Sequence, residues 1–312
     1  MTYEELERIR INLITKREKI KGTILRIYIV AVIIFSFILI INRSSSSYST
    51  KILPSLIFSV LASAFELGFV AVFAYVVACA IKTGNEQKAY RTAYKSYFVT
   101  AAFNKVFTDL SYAHDAEMPY TIPNSTGTLY MGDRYSSNDY TIAKYKNIPF
   151  SQADIHIEDK YEDSKGHTHY STLFRGRYIT FDFNKNFDKK LLVASKNFHT
   201  DKHDQSLKKI ELESVNFNKS FDIYAQDGFE AYYLLDPAVM ERIEKLSNLY
   251  GGNIFICFFE NKIHIAINNN VDSFEPPSPK NPIDEAKEFQ KVMNDIKVVT
   301  DIVDEIKLVR ER

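Results

Sequence analysis

Apolar residues crowd into two stretches of this chain. One is Ile27–Ile41, or Gly22–Ile41 if Arg26 is tolerated. The other is Ile52–Ile81, broken only by Glu66. A helix of about 20 residues covers the ~30 Å hydrocarbon core of a bilayer, so the pattern predicts two spans joined as a helical hairpin. Arg26 sits near the end of its run, where its long side chain can snorkel to the headgroups. The second run exceeds one bilayer thickness and must tilt or project. Ser49 or Thr50 is placed to cap it, and Pro54 suits a first helical turn. About twenty polar residues precede the first run and no small-residue cleavage pattern follows, which argues against a cleaved signal peptide.

The flanks give an orientation. Arg8, Arg10, Lys16, Arg17, Lys19 and Lys21 precede the first span, and Lys82, Lys88, Arg91 and Lys95 follow the second. The connecting loop carries only Arg43 and Lys51. The positive-inside rule then places both termini in the cytoplasm. Glu66 falls toward the outer face. There it reads as an interfacial residue meeting Arg43 or water, with an ion or proton role as the alternative.

Outside the spans the periodicity is first helical. Thr2–Lys21 has capping-box spacing at Thr2 and Glu5, and Leu6, Ile9, Leu13 and Ile20 line one face. After a kink at Gly84, Glu86–Leu110 predicts a second helix, so the pair forms a stalk. From Asp139 short alternating runs predict strands at 140–145, 151–157, 171–174, 177–183, 191–194, 207–212, 254–259 and 263–268, the last two meeting in a hairpin turn at 260–262. Asp182–Lys190 reads as a solvated turn. Gly228–Tyr250 predicts helix broken at Asp236-Pro237. Asn281 and Pro282 open a last helix whose Phe289, Val292, Ile296, Val299, Val303 and Ile306 step by three and four. Such a stripe seeks an intramolecular partner or a second copy. The expected class is α+β: a two-span transmembrane hairpin, a mostly antiparallel cytosolic domain and a long C-terminal helix. The segments are 1–21, 22–81, 82–118, 119–280 and 281–312.

Composition narrows the function. Lys plus Arg and Asp plus Glu both number 39, so the basic excess of a nucleic-acid binder is missing. The two cysteines, Cys79 and Cys257, suggest no disulfide framework and fit a reducing compartment.

Several segments resemble one family, the bacterial domain of unknown function 3137. They are Arg134-Tyr135-Ser136-Ser137-Asn138-Asp139-Tyr140, Leu173-Phe174-Arg175-Gly176, Leu212-Glu213-Ser214-Val215-Asn216-Phe217-Asn218-Lys219-Ser220-Phe221, Ala225-Gln226-Asp227, Glu230-Ala231-Tyr232-Tyr233-Leu234-Leu235 and Phe274-Glu275. Such families usually carry a lysine before the glycine where this chain has Arg175. The resemblance implies the two-span architecture and a bacterial origin, and no activity, cofactor or catalytic residue.

Chemical motifs are sparse. No P-loop, G-x-G-x-x-G, H-E-x-x-H or G-x-S-x-G is present. His167 and His169 alternate as strand neighbours, and His199 and His203 are four apart beside Asp201 and Asp204. Either set could ligate Zn²⁺, or the imidazoles are simply solvated. His156 and His264 read as ordinary sheet residues. Tyr232, Tyr233, Phe217 and Phe221 read as core. The leading expectation is a membrane-anchored binding or scaffold module at the bacterial inner membrane. Its partners would be the lipid bilayer and a protein or second copy, with no cofactor and no nucleic acid. A metal-dependent membrane enzyme and an oligomeric ion or transport element using Glu66 are the alternatives.

Overall fold

The computed structural model describes residues 1–44, 52–201 and 204–310. Ser49, Thr50, Lys51 and His203, and the side chains of Arg43 and Ile306, lie outside the described residues. The chain forms two units. One is Met1–Tyr97 with Pro276–Ile283, and the other is Phe98–Glu275 with the chain from Asp284 onward.

In the first unit, α1 (Tyr3–Ser44) and α2 (Ile52–Tyr94) are each continuous, so Gly84 makes no break. The capping box is formed: the Glu5 amide donates to Thr2 Oγ1 at 3.2 Å, and the Thr2 amide donates to Glu5 Oε2 at 2.8 Å. This satisfies amides that the first helical turn cannot pair. Leu6 and Leu13 are buried. Lys16 pairs with Glu86, and Arg17 Nη2 donates to Gln87 Oε1 at 2.5 Å. Farther along, the Tyr28 hydroxyl donates to the Ala64 carbonyl at 3.0 Å. The two polar stalk segments therefore pack side by side. Each helix holds an 18-residue stretch long and apolar enough to cross a membrane, with none of it buried. Ile27, Ile33, Phe37, Phe65, Phe69, Phe73 and Ile81 point outward. A water-soluble unit would not leave so large an apolar surface open.

The second unit is α+β. A π turn at Lys95–Val99 leads into α3 (Thr100–Val106). The predicted helix to Leu110 ends early, because Phe107 turns extended (φ −108°, ψ 151°) and buries its ring 4.9 Å from that of Phe150. The strands are β1 (Thr108–Ala113), β2 (Arg134–Tyr145), β3 (Ile148–Glu162), β4 (Thr168–Ser195), β5 (Lys208–Ile210), β6 (Phe221–Ala225) and β7 (Ile254–Asn268). All pairings are antiparallel, in the order β1-β2-β3-β4-β6-β5, with β7 also on β4. Helices α4 (Thr121–Asn124), α5 (Val215–Ser220), α6 (Gly228–Leu234), α7 (Pro237–Leu249) and α8 (Glu285–Arg310) complete it.

Several sequence expectations change. The three short strands predicted between 171 and 194 are one 28-residue strand, β4, and Phe187 within the supposed solvated turn is buried. No hairpin forms at 260–262. β7 runs straight through along β4, and Glu260 (φ 53°) absorbs a register shift. The long open edge of β4 supplies ladder hydrogen bonds on both sides of that shift, and these outweigh the local turn preference. β6 was missed, because Phe221 follows α5 without a gap. Gly176 marks no break. It sits in the sheet at φ 155°, and a Cβ there would lie 2.0 Å from the Ile267 carbonyl oxygen. Tyr232 and Tyr233 are exposed rather than core, while Phe217 and Phe221 are buried.

The helix break at Asp236-Pro237 is present, and Asp236 Oδ1 accepts from the Val239 amide at 3.0 Å. Val239, Ile243 and Leu246 are buried. α8 starts later than expected. Asp284, not Asn281, caps it by accepting from the Lys287 amide at 3.0 Å. Its Val292, Ile296, Val299 and Val303 are buried. Contacts of this helix run to its own unit: Lys105 of α3 lies 4.4 Å over Phe289, and Tyr250 beyond α7 donates to Asp301 at 2.7 Å.

Both faces of the sheet are covered. Ala153, Ile155, Ile157, Tyr178, Leu192, Phe255 and Ala266 join Met118, Leu129, Met131 and Phe198 in one core. The opposite face carries Phe150, Ile179, Phe181, Ile263 and Ile265, all buried, and among them stand Asp154 and Arg177.

Candidate functional site

Register builds the site. Asn138 of β2 faces Asp154 of β3, and Asp154 faces Arg177 of β4. Directly opposed residues share a sheet face, so a polar row crosses three strands. A bulge after Asn138 turns Asp139 to φ 56° and brings it to the same place. The chain leaving β7 adds Asp272 and Ser273. The Ser273 amide donates to Asp154 Oδ2 at 2.7 Å, and Asn138 Nδ2 donates to Asp272 Oδ1 at 3.2 Å. Tyr112 of β1 donates its hydroxyl to Asp139 Oδ1 at 2.6 Å.

Asp139, Asp154 and Asp272 offer carboxylate oxygens within 4.8 Å of one another. Among the described residues this is the one group of three side chains so placed to hold a metal ion. Its hard oxygen donors suit Mg²⁺, Mn²⁺ or Ca²⁺ rather than Zn²⁺. Arg177 supplies a competing positive charge. Its Nε lies 3.5 Å from Asp154 Oδ1, its Nη1 donates to the Asp295 carbonyl of α8 at 2.6 Å, and its guanidinium sits 4.6 Å over Phe274. Asp154 Oδ1 and Arg177 Nη2 are buried without a hydrogen-bond partner.

Burial raises Asp154 to about 6, against the lowering pull of Arg177, and the charges of Asp139 and Asp272 add to the rise. Asp295 is raised for the same first reason, burial. Tyr112 is also raised, by burial and then by the charge of Asp139. Three carboxylates, Asp139, Asp154 and Asp272, thus face two guanidiniums, Arg177 and Arg175.

Beside it opens a small cavity of about 230 Å³, lined by Ser136, Ser137, Asn138, Asp154, His156, Arg175 and Asp272. Arg175 is half-exposed, with Nη2 3.9 Å from Asp272 Oδ2. Three of the motif segments, Arg134–Tyr140, Leu173–Gly176 and Phe274-Glu275, meet around this corner. Sequence reasoning flagged those segments but not the carboxylates. The available signal was the alternation Gln152, Asp154, His156 within an otherwise apolar strand.

His167, His169, His199 and His264 lie elsewhere. His167 and His169 follow the β3–β4 turn and both contact Asp163 Oδ2, through Nδ1 and Nε2 respectively, each at 3.1 Å. The Lys165 and His167 amides donate to Asp163 Oδ1, each at 2.9 Å. These bonds, the His167 amide foremost, pull Asp163 down to about 2. The group closes a hairpin at the surface. His199 is exposed in the loop after β4. His264 is buried with its Nδ1 2.8 Å from the Tyr178 hydroxyl, and burial lowers it to about 4. Arg26 and Glu66 are exposed on α1 and α2.

Comparison with known proteins gives little beyond this. No curated protein matches the sequence. The crystal structure of the mycobacterial trehalose monomycolate transport factor A, TtfA, is similar at a TM-score of 0.35 and 7% identity, over 68% of this chain and 93% of that one. A likeness at this level assigns neither fold nor function. A family model does match residues 172–308, from β4 through most of α8. That model is described as a protein of unknown function, DUF3137.

Proposed function

We propose that this chain is a membrane-anchored binding module, held by α1 and α2, whose sheet unit takes a small ligand with a positively charged group. The observation that carries this is the polar cavity at Asp154, Asp272 and Arg175, where three carboxylates (Asp139, Asp154 and Asp272) face two guanidiniums. A cation or an ammonium group entering there relieves the imbalance. Titrating the purified full chain with Mn²⁺, followed by the loss of free-ion EPR signal, and with a diamine, followed by thermal shift, tests this. Uptake of either probe that disappears in Asp272→Asn supports the reading. Uptake of neither, or uptake unchanged in Asp272→Asn, overturns it.

The basic flanks favour an inner-membrane location with both termini cytoplasmic. Protease added outside intact cells is then expected to leave the region after residue 98 uncut, and its digestion would reverse the orientation.

A protein partner is the second reading, favoured by one surface. Phe229 is 81% exposed, and Tyr232 and Tyr233 of the same helix are also exposed. Nearby lies a groove of about 550 Å³ lined by Tyr232 and Met240 with Glu213, Asp236, Glu241 and Glu244. Exposed aromatic anchors with an acidic rim suit a basic protein surface. Phe229→Ser with Tyr233→Ser is expected to change stability by less than about 0.5 kcal/mol, as for surface positions, while abolishing crosslinks from this face in cells. Crosslinks that persist in the double variant count against docking here.

A further inference from the structure

The first unit contains a groove of about 530 Å³ between α1 and α2, on the ~300–1,000 Å³ scale of small-molecule sites. We infer that this groove is a binding site for an anionic phospholipid, with an acyl chain between the helices and the phosphate at Lys21 and Lys280. The inference rests on the membrane reading of α1 and α2 and is independent of the polar cavity.

Three observations carry it. First, the walls are apolar and come from both runs, with Ile24 and Leu25 on α1 and Ala71 and Val72 on α2. The same helices turn Ile27, Phe69 and Phe73 outward. If these surfaces lie in hydrocarbon, acyl chains are the solvent at the mouth of the groove. Second, the space is not closed by helix packing. Small residues in membrane helices usually let two backbones approach closely. At Gly68 an added Cβ would meet nothing nearer than the Tyr28 hydroxyl at 4.0 Å, so the small residue leaves room. Third, the polar end carries two lysines from separate parts of the chain. Lys21 belongs to α1. Lys280 belongs to Pro276–Ile283, which is tied to the helices by bonds from Arg10 Nη1 to the Pro279 carbonyl at 2.8 Å, from Tyr3 to Ile283 at 2.7 Å and from Tyr90 to Pro277 at 3.2 Å. The position of Lys280 is therefore fixed by the fold. Glu18 offsets one of the two charges, but its contact with Lys21 is a loose 3.7 Å with both side chains more than half exposed. One net positive charge remains where the apolar groove ends, which matches a phosphate on an acyl chain and not a zwitterionic headgroup.

The test uses the full chain, extracted in detergent, stripped of lipid and titrated with dioleoyl phosphatidylglycerol or dioleoyl phosphatidylcholine under native mass spectrometry. The wild type is expected to hold one phosphatidylglycerol about tenfold or more tightly than phosphatidylcholine, the scale set by two lysines at a lipid surface. Lys21→Ser with Lys280→Ser is expected to lose that preference while still holding either lipid weakly. Gly68→Phe is expected to exclude both lipids from the site. If Gly68→Phe fails to fold, the lysine pair decides alone. Equal retention of the two lipids by the wild type, or a preference that survives loss of both lysines, overturns the inference. Recovery of the full chain in the soluble fraction without detergent would instead overturn the membrane reading beneath it.

Discussion

Gly176→Ala is expected to destabilise the sheet unit by about 3–5 kcal/mol, the range of substitutions that combine backbone strain with a steric clash. The residue pairs with Ile155 on one side and Asn268 on the other, so it lies inside the sheet. Its φ of 155° is one that side chains rarely adopt, and the Cβ would fall 2.0 Å from the Ile267 carbonyl oxygen. The obstacle is backbone, so no rotamer change relieves it. Either β7 moves away and loses its ladder bonds to β4, or the strand distorts at the edge of the polar cavity. Gly84→Ala is the control. It lies in α2 with nothing within 4 Å of the added carbon, and alanine there is expected to be neutral or to stabilise by up to about 1 kcal/mol. Urea unfolding of both variants in the same detergent, followed by far-UV circular dichroism, separates them. Equal midpoints would show that the sheet tolerates a side chain where the backbone leaves no room.

The second large effect is in the pH profile. Between pH 4 and 6.5 two buried groups titrate in opposition. Asp154 is raised from 3.8 to about 6. The folded chain therefore keeps a proton that the unfolded chain has lost. This contribution is fully present below the unfolded value and disappears as pH rises through about 6. His264 is lowered from 6.5 to about 4. Its contribution is fully present above 6.5 and disappears as pH falls toward 4. Each is on the order of 3 kcal/mol over its window, with opposite sign, so these two contributions largely cancel in the wild type. Asp295, raised by burial as well, adds to the Asp154 side. Asp163, pulled down to about 2, completes its change below this window. Asp154→Asn is expected to make stability climb with pH from 4 to 6.5, and His264→Asn to make it fall. Unfolding midpoints at half-unit pH steps read the slopes, which do not depend on what either substitution costs outright. Parallel profiles for the two variants would mean that neither group is held out of water as the fold implies.

Much of the architecture was legible because its strongest signals are local. Two long apolar runs, interrupted only by Arg26 and Glu66, specify membrane-length helices whatever follows. Thr2 and Glu5 announce a cap, and Asp236-Pro237 marks a helix start. What was not legible depends on partners distant in sequence. Gly176 and the charged residues after Phe181 look like breaks in any short window, yet β4 continues through them because β3, β6 and β7 supply its hydrogen bonds. Asp154 and Arg177 form a pair only once β3 and β4 are in register, and Asp272 joins from a loop beyond β7. His167 and His169 drew attention by their spacing. The residue that organises them, Asp163, stands on the other arm of the turn, where no histidine pattern looks.

The length of β4 also sets the order in which the molecule can assemble during synthesis. One of its edges is claimed by β3, made just before it, and then by β6. The other edge waits for β7, whose last paired residue is Asn268. While the nascent chain grows from Ser195 to Asn268, this long strand has one side bare, a state that invites pairing with a neighbouring polypeptide. The amino-terminal helices emerge from the ribosome long before that side is covered, so both apolar helices are complete while the sheet is still open.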